Sequence, residues 1–278
     1  MLLKLDNVTK VYQTDGPAAT ILEDVNLSVD SGQFICLVGQ SGCGKSTTLR
    51  LINGLMPPSS GKVYFKDKPL TGINLQCGMV FQNFALLPWM TVTQNILLAL
   101  EARRIDRPTA EKRAAFYIDK VGLDGFEGAY PRELSGGMKQ RVGLARAMAV
   151  EPELLLMDEP FSALDPLTSI NLREELLDIW ADPNLAVSTV IMVTHNIEEA
   201  VELADRVVLI GGRPGHVVMD LDIALPRPRH KNSEAFTRYV DSIFSMMAEI
   251  FSYSRDTDTF HLVEPVDNAG AQANNETH

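Results

Sequence analysis

The strongest constraint on the fold is a glycine-rich segment that directly follows a short apolar run. Residues 34–38 contain no polar side chain, and the next residues fit the spacing G-x-x-x-x-G-K-[ST]. In such a segment the glycines let successive backbone N–H groups point at phosphate oxygens, and the following helix adds positive charge at its N-terminus. The residues concerned are Gly39, Gln40, Ser41, Gly42, Cys43, Gly44, Lys45, Ser46 and Thr47.

This spacing predicts a P-loop for a nucleoside triphosphate, with Lys45 on the terminal phosphates and Ser46 on Mg²⁺. The alternative is a glycine-rich turn that matches the spacing by chance. A preceding apolar strand and a helix predicted over residues 47–55 both argue against that alternative, because a phosphate-binding loop needs this context.

Further apolar runs predict a parallel α/β core around the loop. Residues 154–157, 190–193 and 207–210 are continuously apolar, a pattern typical of strands covered on both faces, and helical stretches separate them. Such alternation favours a parallel sheet with right-handed crossovers. Ahead of this core, residues 3–5 and 25–29 alternate between apolar and polar, which predicts antiparallel strands buried on one face.

Composition and charge restrict the class of protein. With 278 residues, of which 45% are hydrophobic and 22% charged, the chain has the composition of a globular protein with a large core. A net charge of -11 argues against an extended nucleic-acid groove, which needs clustered Lys and Arg. The three cysteines, Cys36, Cys43 and Cys77, form no metal-ligand spacing and predict reduced thiols in a cytoplasmic protein.

The remaining segments predict the domain organisation. Residues 88–150 are rich in helix formers, at 95–104 and 110–121 in particular, and indicate a helical insertion. Neither a signal peptide nor an apolar run near the ~20 residues of a membrane span is evident, so any spanning helices are expected in another chain. Residues 228–278 predict a linker, an amphipathic helix over 234–251 and a tail that is disordered from 268 onward.

Two carboxylates follow the apolar run at residues 154–157. Asp158 and Glu159 would lie at the carboxyl end of that strand, where open α/β sheets bind ligands. Asp158 can hold Mg²⁺, and Glu159 can polarise the attacking water as a general base. An exposed Asp-Glu-Pro turn is the alternative, although so apolar a strand beside a P-loop sheet disfavours it.

A second anion site is predicted at Ser135, Gly136 and Gly137. A hydroxyl and two glycine N–H groups at the start of a helix can bind phosphate, and Ser135 is also an ordinary N-cap. The segment Leu134-Ser-Gly-Gly-x-x-x-Arg141 resembles the signature loop of the ATP-binding subunits of ABC transporters.

This resemblance covers residues 1–227 and implies a fold as well as an activity. The implied fold class is α/β, a P-loop NTPase with a RecA-like parallel sheet core, an antiparallel β subdomain and an inserted helical subdomain at about 88–150. In that family two subunits sandwich two ATP molecules with Mg²⁺, so that the signature loop of one subunit completes the P-loop site of the other. ATP hydrolysis then drives transport through a membrane-spanning partner.

The resemblance also implies roles for four other residues. Tyr12 matches the aromatic that stacks on adenine, and Gln82 matches the glutamine that reaches Mg²⁺ and the attacking water. Asp165 ends a loop similar to the one that crosses the dimer interface, and His195 matches the histidine that contacts the γ-phosphate. The alternatives are a strand aromatic, a solvated amide, an N-cap before Pro166 and a structural histidine.

Two stretches narrow the resemblance to importers of the nitrate, sulfonate and taurine group. They begin at Leu86 and at Arg213. The resemblance implies a membrane-spanning permease docked on the segment from Gln82 to Trp89, a second ATP-binding subunit, and a periplasmic or surface solute-binding protein. It places the chain at the cytoplasmic face of the inner membrane as a peripheral subunit, without nucleic acid as a partner. Phe84, Leu87 and Trp89 are expected to supply part of an apolar docking groove, although they could equally be core.

Two other functions compete with this interpretation. An ABC-type ATPase of repair or translation has similar motifs but usually adds a coiled coil, a zinc insertion or a second ATPase domain. A subunit that only binds nucleotide is the other, and the joint presence of Lys45, Gln82, Ser135, Glu159 and His195 argues against it. No role is assigned to His216, His230, His261 or His278, and the sequence does not specify the transported solute.

Overall fold

The computed structural model describes residues 1–13 and 17–258, with side chains described up to residue 250. In chain order its elements are β1 (Leu3–Tyr12), β2 (Ala19–Val29), β3 (Phe34–Val38), α1 (Lys45–Ile52), β4 (Ser60–Phe65), β5 (Lys68–Pro69), β6 (Cys77–Val80), α2 (Val92–Ala102), α3 (Arg107–Lys120), α4 (Gly136–Ala149), β7 (Leu154–Asp158), α5 (Pro166–Ala181), β8 (Thr189–Val193), α6 (Ile197–Leu203), β9 (Arg206–Gly211), β10 (His216–Asp222) and α7 (Glu234–Asp258). A 3₁₀ turn, Pro131–Glu133, precedes α4.

A six-stranded sheet forms the centre of the fold, in the order β10-β9-β3-β8-β7-β6. Strands β9, β3, β8, β7 and β6 pair in parallel, and β10 pairs antiparallel with β9 at one edge. Every residue of β3, β7 and β8 is buried, as their continuous apolar runs predict. The predicted α/β class with a parallel core is therefore confirmed.

The edge strand β6 was not predicted. It has only four residues, and Gly78 at its second position contributes no apolar side chain to a pattern. The reason for this glycine is visible in the packing, because a Cβ at Gly78 would lie 2.4 Å from the Ala147 carbonyl oxygen on α4. The close approach of the two backbones requires glycine at this position. The strand therefore lacks the apolar run by which a strand is recognised in a sequence.

A second, antiparallel sheet has the order β2-β1-β4-β5. Leu3 pairs with Val29 on one side and with Phe65 on the other, so the alternating apolar residues of these strands share one buried face. This arrangement matches the predicted half-buried antiparallel strands. Asp15-Gly16-Pro17 predicts a turn between β1 and β2, but residues 14–16 lie outside the described residues.

The two faces of the central sheet bury separate apolar cores. Phe34, Cys36 and Val38 point into a core shared with α2 to α7, whereas Ile35 and Leu37 point into a core shared with α1 and the second sheet. This division follows from the two-residue period of a strand. All three cysteines are buried and unpaired.

Helices α2, α3 and α4 lie between β6 and β7 and form the helical region of the chain. Helix α2 begins at Val92, three residues before the predicted start, because Thr91 and Gln94 form a capping box there. Helix α3 begins at Arg107 behind the N-cap Asp106. Within the described part of the chain, none of the helices is both long and apolar enough to cross a membrane.

The segment after β10 ends in α7, which packs on the body of the protein. Phe236 and Ile243, seven residues apart on one face, are buried in the core that α6 and β9 also line. The helix continues to Asp258, beyond the predicted end at residue 251. The tail predicted to be disordered, residues 268–278, lies outside the described residues.

Candidate functional site

Four neighbouring strands of the central sheet deliver the predicted site residues to one edge. The P-loop follows β3, His195 follows β8, Asp158 and Glu159 stand at the end of β7, and Gln82 follows β6. These strands are parallel, so their carboxyl ends meet at the same edge, where such sheets bind ligands. The structure therefore brings together residues that are far apart in the sequence.

The P-loop wraps around the side chain of Lys45. The Lys45 ammonium donates to the carbonyl oxygens of Gly39 and Gln40, at 2.8 and 2.7 Å, and the residue is only 5% exposed. Gly42 and Gly44 have φ values of 84° and 101°, a left-handed region that other residues rarely adopt. The loop thus curls as a phosphate-binding loop requires, with a buried cation at its centre.

Helix α1 begins at Lys45, two residues earlier than predicted. Its N-cap is Gly44, whose lack of a side chain leaves the first turn without a side-chain cap. The open N–H groups of a helix start are anion-binding groups, and a phosphate can satisfy them. Burial raises the pKa of the neighbouring Cys43 thiol, so this side chain adds no negative charge beside the open N–H groups.

Oxygen ligands suited to Mg²⁺ stand beside this loop. The Ser46 hydroxyl donates to Asp158 Oδ1 at 2.8 Å. Burial raises the pKa of Asp158 above its usual value, and the hydrogen bond from Ser46 opposes that rise. A hydroxyl and a carboxylate in contact fit the preference of Mg²⁺ for oxygen ligands.

Glu159 stands at the centre of a polar cluster. Its Oε2 accepts a hydrogen bond from Gln82 Nε2 at 3.2 Å and lies 3.3 Å from His195 Nδ1. The Glu159 N–H donates to the Val193 carbonyl at 3.0 Å, and the residue has a φ of 46°. The three residues predicted to be catalytic are therefore in direct contact, although the structure joins Gln82 to Glu159 and not to Asp158.

Tyr12 lies at the end of β1, half-buried. Its hydroxyl donates to the Met56 sulfur at 3.2 Å, and the Lys10 ammonium lies 5.5 Å from the ring centroid. Among the described residues, its side chain makes no hydrogen bond to the P-loop.

The signature segment forms the start of α4. Ser135 is the N-cap, and its hydroxyl accepts from the Met138 N–H at 3.2 Å. Ser135 and Gly136 are exposed, whereas a Cβ at Gly137 would lie 2.4 Å from the Thr168 methyl group on α5. No hydrogen bond within the described residues joins this segment to the P-loop of the same chain.

Asp165 caps α5 and accepts from the Thr168 N–H at 3.0 Å, with Pro166 in the first turn. Hydrogen bonds from Thr168 lower the pKa of Asp165, so this carboxylate is ionised. The loop between Glu159 and α5 is anchored at its start, because the Ser162 hydroxyl donates to the Glu159 carbonyl at 3.0 Å. The N-cap interpretation of Asp165 is thus observed directly.

The segment from Gln82 to Trp89 connects this cluster to the helical region. Arg146 on α4 donates to the carbonyl oxygens of Phe84 and Ala85, at 2.9 and 2.6 Å. Trp89 is 68% exposed and lines a surface groove with α2 side chains and Arg107. Phe84 and Leu87, also expected in a groove, are half-buried and are not among the residues that line this one.

A buried ion pair that no sequence motif predicts lies behind His195, between Arg173 and Glu199. These residues lie on different helices, and a single sequence gives no signal that they meet. A weak hint is Thr194 at the end of a buried strand, because a hydroxyl there needs a polar partner.

Comparison with known proteins identifies the family. Residues 22–162 match the family model described as ABC transporter. The nitrate import ATP-binding protein NrtD of Synechocystis sp. is 42% identical over 256 residues, covering 89% of this chain and 95% of that protein. The bicarbonate transport ATP-binding protein CmpD of the same organism is 44% identical over 243 residues, covering 85% of each chain.

A solved structure agrees with this result. The ATP-binding cassette MJ0796, in a dimeric post-hydrolysis state bound to ADP and Pi, aligns with a TM-score of 0.71 and 31% identity, covering 81% of this chain and all of that one. The predicted recognition and fold class are therefore confirmed.

Proposed function

The chain belongs to the ABC transporter family, as an ATP-hydrolysing, Mg²⁺-dependent ATP-binding subunit, and we propose that the Glu159 cluster is its hydrolytic site. The observation that carries the proposal is the contact of Gln82 and His195 with the Glu159 carboxylate, next to the Ser46–Asp158 pair and the P-loop. A general base, two polar side chains and a phosphate-binding loop are the groups that phosphoryl transfer to water requires.

This proposal gives each site residue a defined role. The P-loop, residues 39–47, binds the phosphates through its N–H groups, and Lys45 leaves the Gly39 and Gln40 carbonyls to contact the terminal phosphates. Ser46 and Asp158 hold Mg²⁺, assisted by Gln82. When bound, this ion neutralises negative charge on the phosphate oxygens. Tyr12 stacks on the adenine ring.

The proton of the attacking water goes to Glu159. Its Oε2, between the Gln82 amide and the His195 ring, is the acceptor, and the two neighbours orient the water. His195 is free to contact the γ-phosphate, since its side chain is 60% exposed and its only described side-chain partner is Glu159. Catalysis then depends mainly on position and charge, as is usual for phosphoryl transfer.

Subunits of this family dimerise and work with a membrane permease in import systems. We propose that Ser135, Gly136 and Gly137 complete the P-loop site of a second copy or a related chain, and that Asp165 lies at that interface. The support is the exposure of Ser135 and Gly136, together with the absence, within the described residues, of a hydrogen bond from this segment to the P-loop of its own chain. One subunit therefore carries half of each of two sites.

The permease is proposed to dock on the segment from Gln82 to Trp89, at the cytoplasmic face of the inner membrane, with a periplasmic or surface solute-binding protein in the same system. The named relatives serve nitrate and bicarbonate, both small inorganic anions. We propose that a small solute is imported here: nitrate, a sulfonate, taurine or a similar molecule. Similar identity to both relatives indicates that other subunits select the solute.

An ABC-type ATPase that acts on nucleic acid or on the translation machinery is not favoured. Binding to nucleic acid needs a cationic surface, and the net charge of -11 argues against one. The relatives named above, which match over most of their length, are import and transport proteins.

Mixing two inactive variants tests the shared site. Lys45→Ala damages the P-loop of a chain, and Ser135→Arg damages the surface that the chain offers to its partner. Each variant alone gives two broken sites, but a mixed dimer contains one intact site, so single-turnover ATP hydrolysis should return on mixing. Ser135→Ala, which removes the hydroxyl without adding bulk, is the control for the Arg substitution. Mixed dimers that demonstrably form and stay inactive would contradict the proposal.

A further inference from the structure

A buried polar network lies directly behind His195. Thr194, at 2% exposure, donates its hydroxyl to Glu199 Oε2 and accepts a hydrogen bond from the Asn196 N–H at 3.0 Å. The Thr194 hydroxyl thus links the residue before His195 to the residue after it. The His195 ring itself is largely exposed, so its orientation depends on this backbone.

The Glu199 carboxylate is held in turn by α5. Arg173 Nη1 donates to Glu199 Oε1 at 3.2 Å, and both residues are almost completely buried. The same Nη1 lies 3.4 Å from the Ser169 hydroxyl, in the first turns of α5. The loop that carries Asp165 leads into this helix, so the buried pair connects the loop of His195 with the helix that Asp165 caps.

The network reaches the segment after the sheet. Arg173 Nε lies 3.1 Å from Glu202 Oε2, a charge contact that lacks hydrogen-bond geometry, and Lys231 Nζ lies 3.1 Å from the same oxygen. Arg173, Glu199 and Lys231 line one cavity together with Glu159 and His195. The Arg173–Glu199 ion pair and the Glu159 cluster therefore lie on the same cavity.

Stability alone is a weak reason for such a network. Desolvation of two charges opposes their attraction, and well-packed apolar side chains of similar volume often stabilise a core as well or better. A buried pair does, however, impose one geometry on the groups that it joins. Here those groups are the backbone at residues 194–196 and the start of α5.

We propose that Thr194, Glu199 and Arg173 are positioning residues, which fix the His195 ring against Glu159 and tie it to α5. This inference rests on the proposed role of His195. Because a small displacement of a reacting group lowers the rate more than it lowers substrate affinity, loss of the Thr194 hydroxyl should reduce kcat with little change in KM.

Three threonine variants test the proposal. Thr194→Val keeps the shape but removes the hydroxyl, and kcat should fall about tenfold while KM for ATP changes less than about twofold. Thr194→Ser keeps the hydroxyl and should retain kcat within about twofold, even if the lost methyl group lowers the melting temperature.

Thr189→Val is the matched control. Thr189 is fully buried at the other end of β8, and its hydroxyl accepts from the Gly32 N–H at 3.1 Å. This variant should melt at a lower temperature than wild type and keep its kcat. A direct readout is NMR of the five histidine rings in the nucleotide-free protein. The His195 signals should move in Thr194→Val and stay in place in Thr194→Ser.

The outcomes separate this inference from the proposed function. In the His195→Ala background, Thr194→Val should cause no further loss of kcat, because its effect passes through the ring. Equal losses in the Ser and Val variants, an unchanged kcat in Thr194→Val, or a full additional loss in the double variant would overturn the positioning role alone. Wild-type hydrolysis by His195→Ala would overturn the proposed function itself, and this inference with it.

Discussion

The backbone at Glu159 should make glycine more stable than alanine at this position. With a φ of 46°, Glu159 occupies the left-handed region, which costs a residue with a Cβ about 1–2 kcal/mol. The conformation persists because the Glu159 N–H is bonded to the Val193 carbonyl at the end of β8. Strain of this kind is found where a side chain must be aimed at a site.

The expected difference in unfolding free energy between the glycine and alanine variants is the sum of two opposing effects. Relief of the left-handed strain favours Glu159→Gly over Glu159→Ala by about 1–2 kcal/mol. The greater freedom of glycine in the unfolded chain favours alanine by about 0.5–1 kcal/mol. The net advantage of the glycine variant is about 0–1.5 kcal/mol, and its midpoint of about 0.75 kcal/mol corresponds to roughly 1.5–3 °C in melting temperature for a chain of this size.

Thermal unfolding without nucleotide measures this difference. Both variants lack the carboxylate, so differences in its charge and hydrogen bonds cancel between them. Glu198, an exposed residue in the first turn of α6, provides the control pair. Glu198→Gly should be less stable than Glu198→Ala by up to about 1 kcal/mol, the usual order in a helix.

A reversal of the order between the two positions is the required result. If Glu159→Gly unfolds below Glu159→Ala by the margin seen at Glu198, the backbone at Glu159 is not strained, and the explanation for how its carboxylate is aimed fails. Both Glu159 variants should also lose ATP hydrolysis, because neither has a general base.

Three further predictions use other parts of the site. Glu159→Gln should bind ATP and accumulate as a nucleotide-bound dimer, which size-exclusion chromatography with MgATP detects; a monomer that hydrolyses at the wild-type rate would exclude Glu159 as the base. Asp158→Asn should raise the melting temperature of the nucleotide-free protein at pH 7, because the folded state raises the Asp158 pKa. That gain should shrink as the pH falls through the raised pKa and vanish below the ordinary 3.8, and a constant gain would refute the electrostatic cause. Trp89→Ser should reduce co-purification with the permease and leave the melting temperature unchanged, unlike a core substitution; Phe116→Ser, on exposed α3 surface, is the control that should keep the partner.

The P-loop and the two carboxylates could be predicted because their chemistry depends on local spacing. Residues 39–47 and the pair at 158–159 each follow an apolar run, so a short stretch of sequence contains both the strand and the ligand groups. The burial of β3, β7 and β8 was predicted for the same reason. For these segments the sequence pattern and the structure agree, although the ends of α1, α2 and α7 differ from the prediction by several residues.

Contacts between distant segments were not predictable in this way. Gln82 donates to Glu159 across 77 residues, and only the family resemblance suggested that they belong to one site. Arg173 and Glu199 meet across 26 residues between two helices, and neither lies in a recognisable motif. The left-handed backbone at Glu159 is likewise invisible in the sequence, since glutamate is not a residue that signals positive φ.

The helical region is connected to the central sheet at two points, and both lie next to site residues. The chain enters this region after β6, next to Gln82, and leaves it through α4 into β7, which ends at Asp158. Arg146 on α4 donates hydrogen bonds to the Phe84 and Ala85 carbonyl oxygens. These bonds join α4, which begins after Ser135, to the segment after Gln82. In the proposed dimer, a movement of Ser135 toward a partner's nucleotide would therefore shift Gln82 relative to Glu159, whereas the P-loop follows β3, two strands away from β7. The segment after Gln82 also carries the exposed Trp89, so a permease docked there, as proposed, would act on the Gln82–Glu159 contact directly through the backbone of residues 82–89.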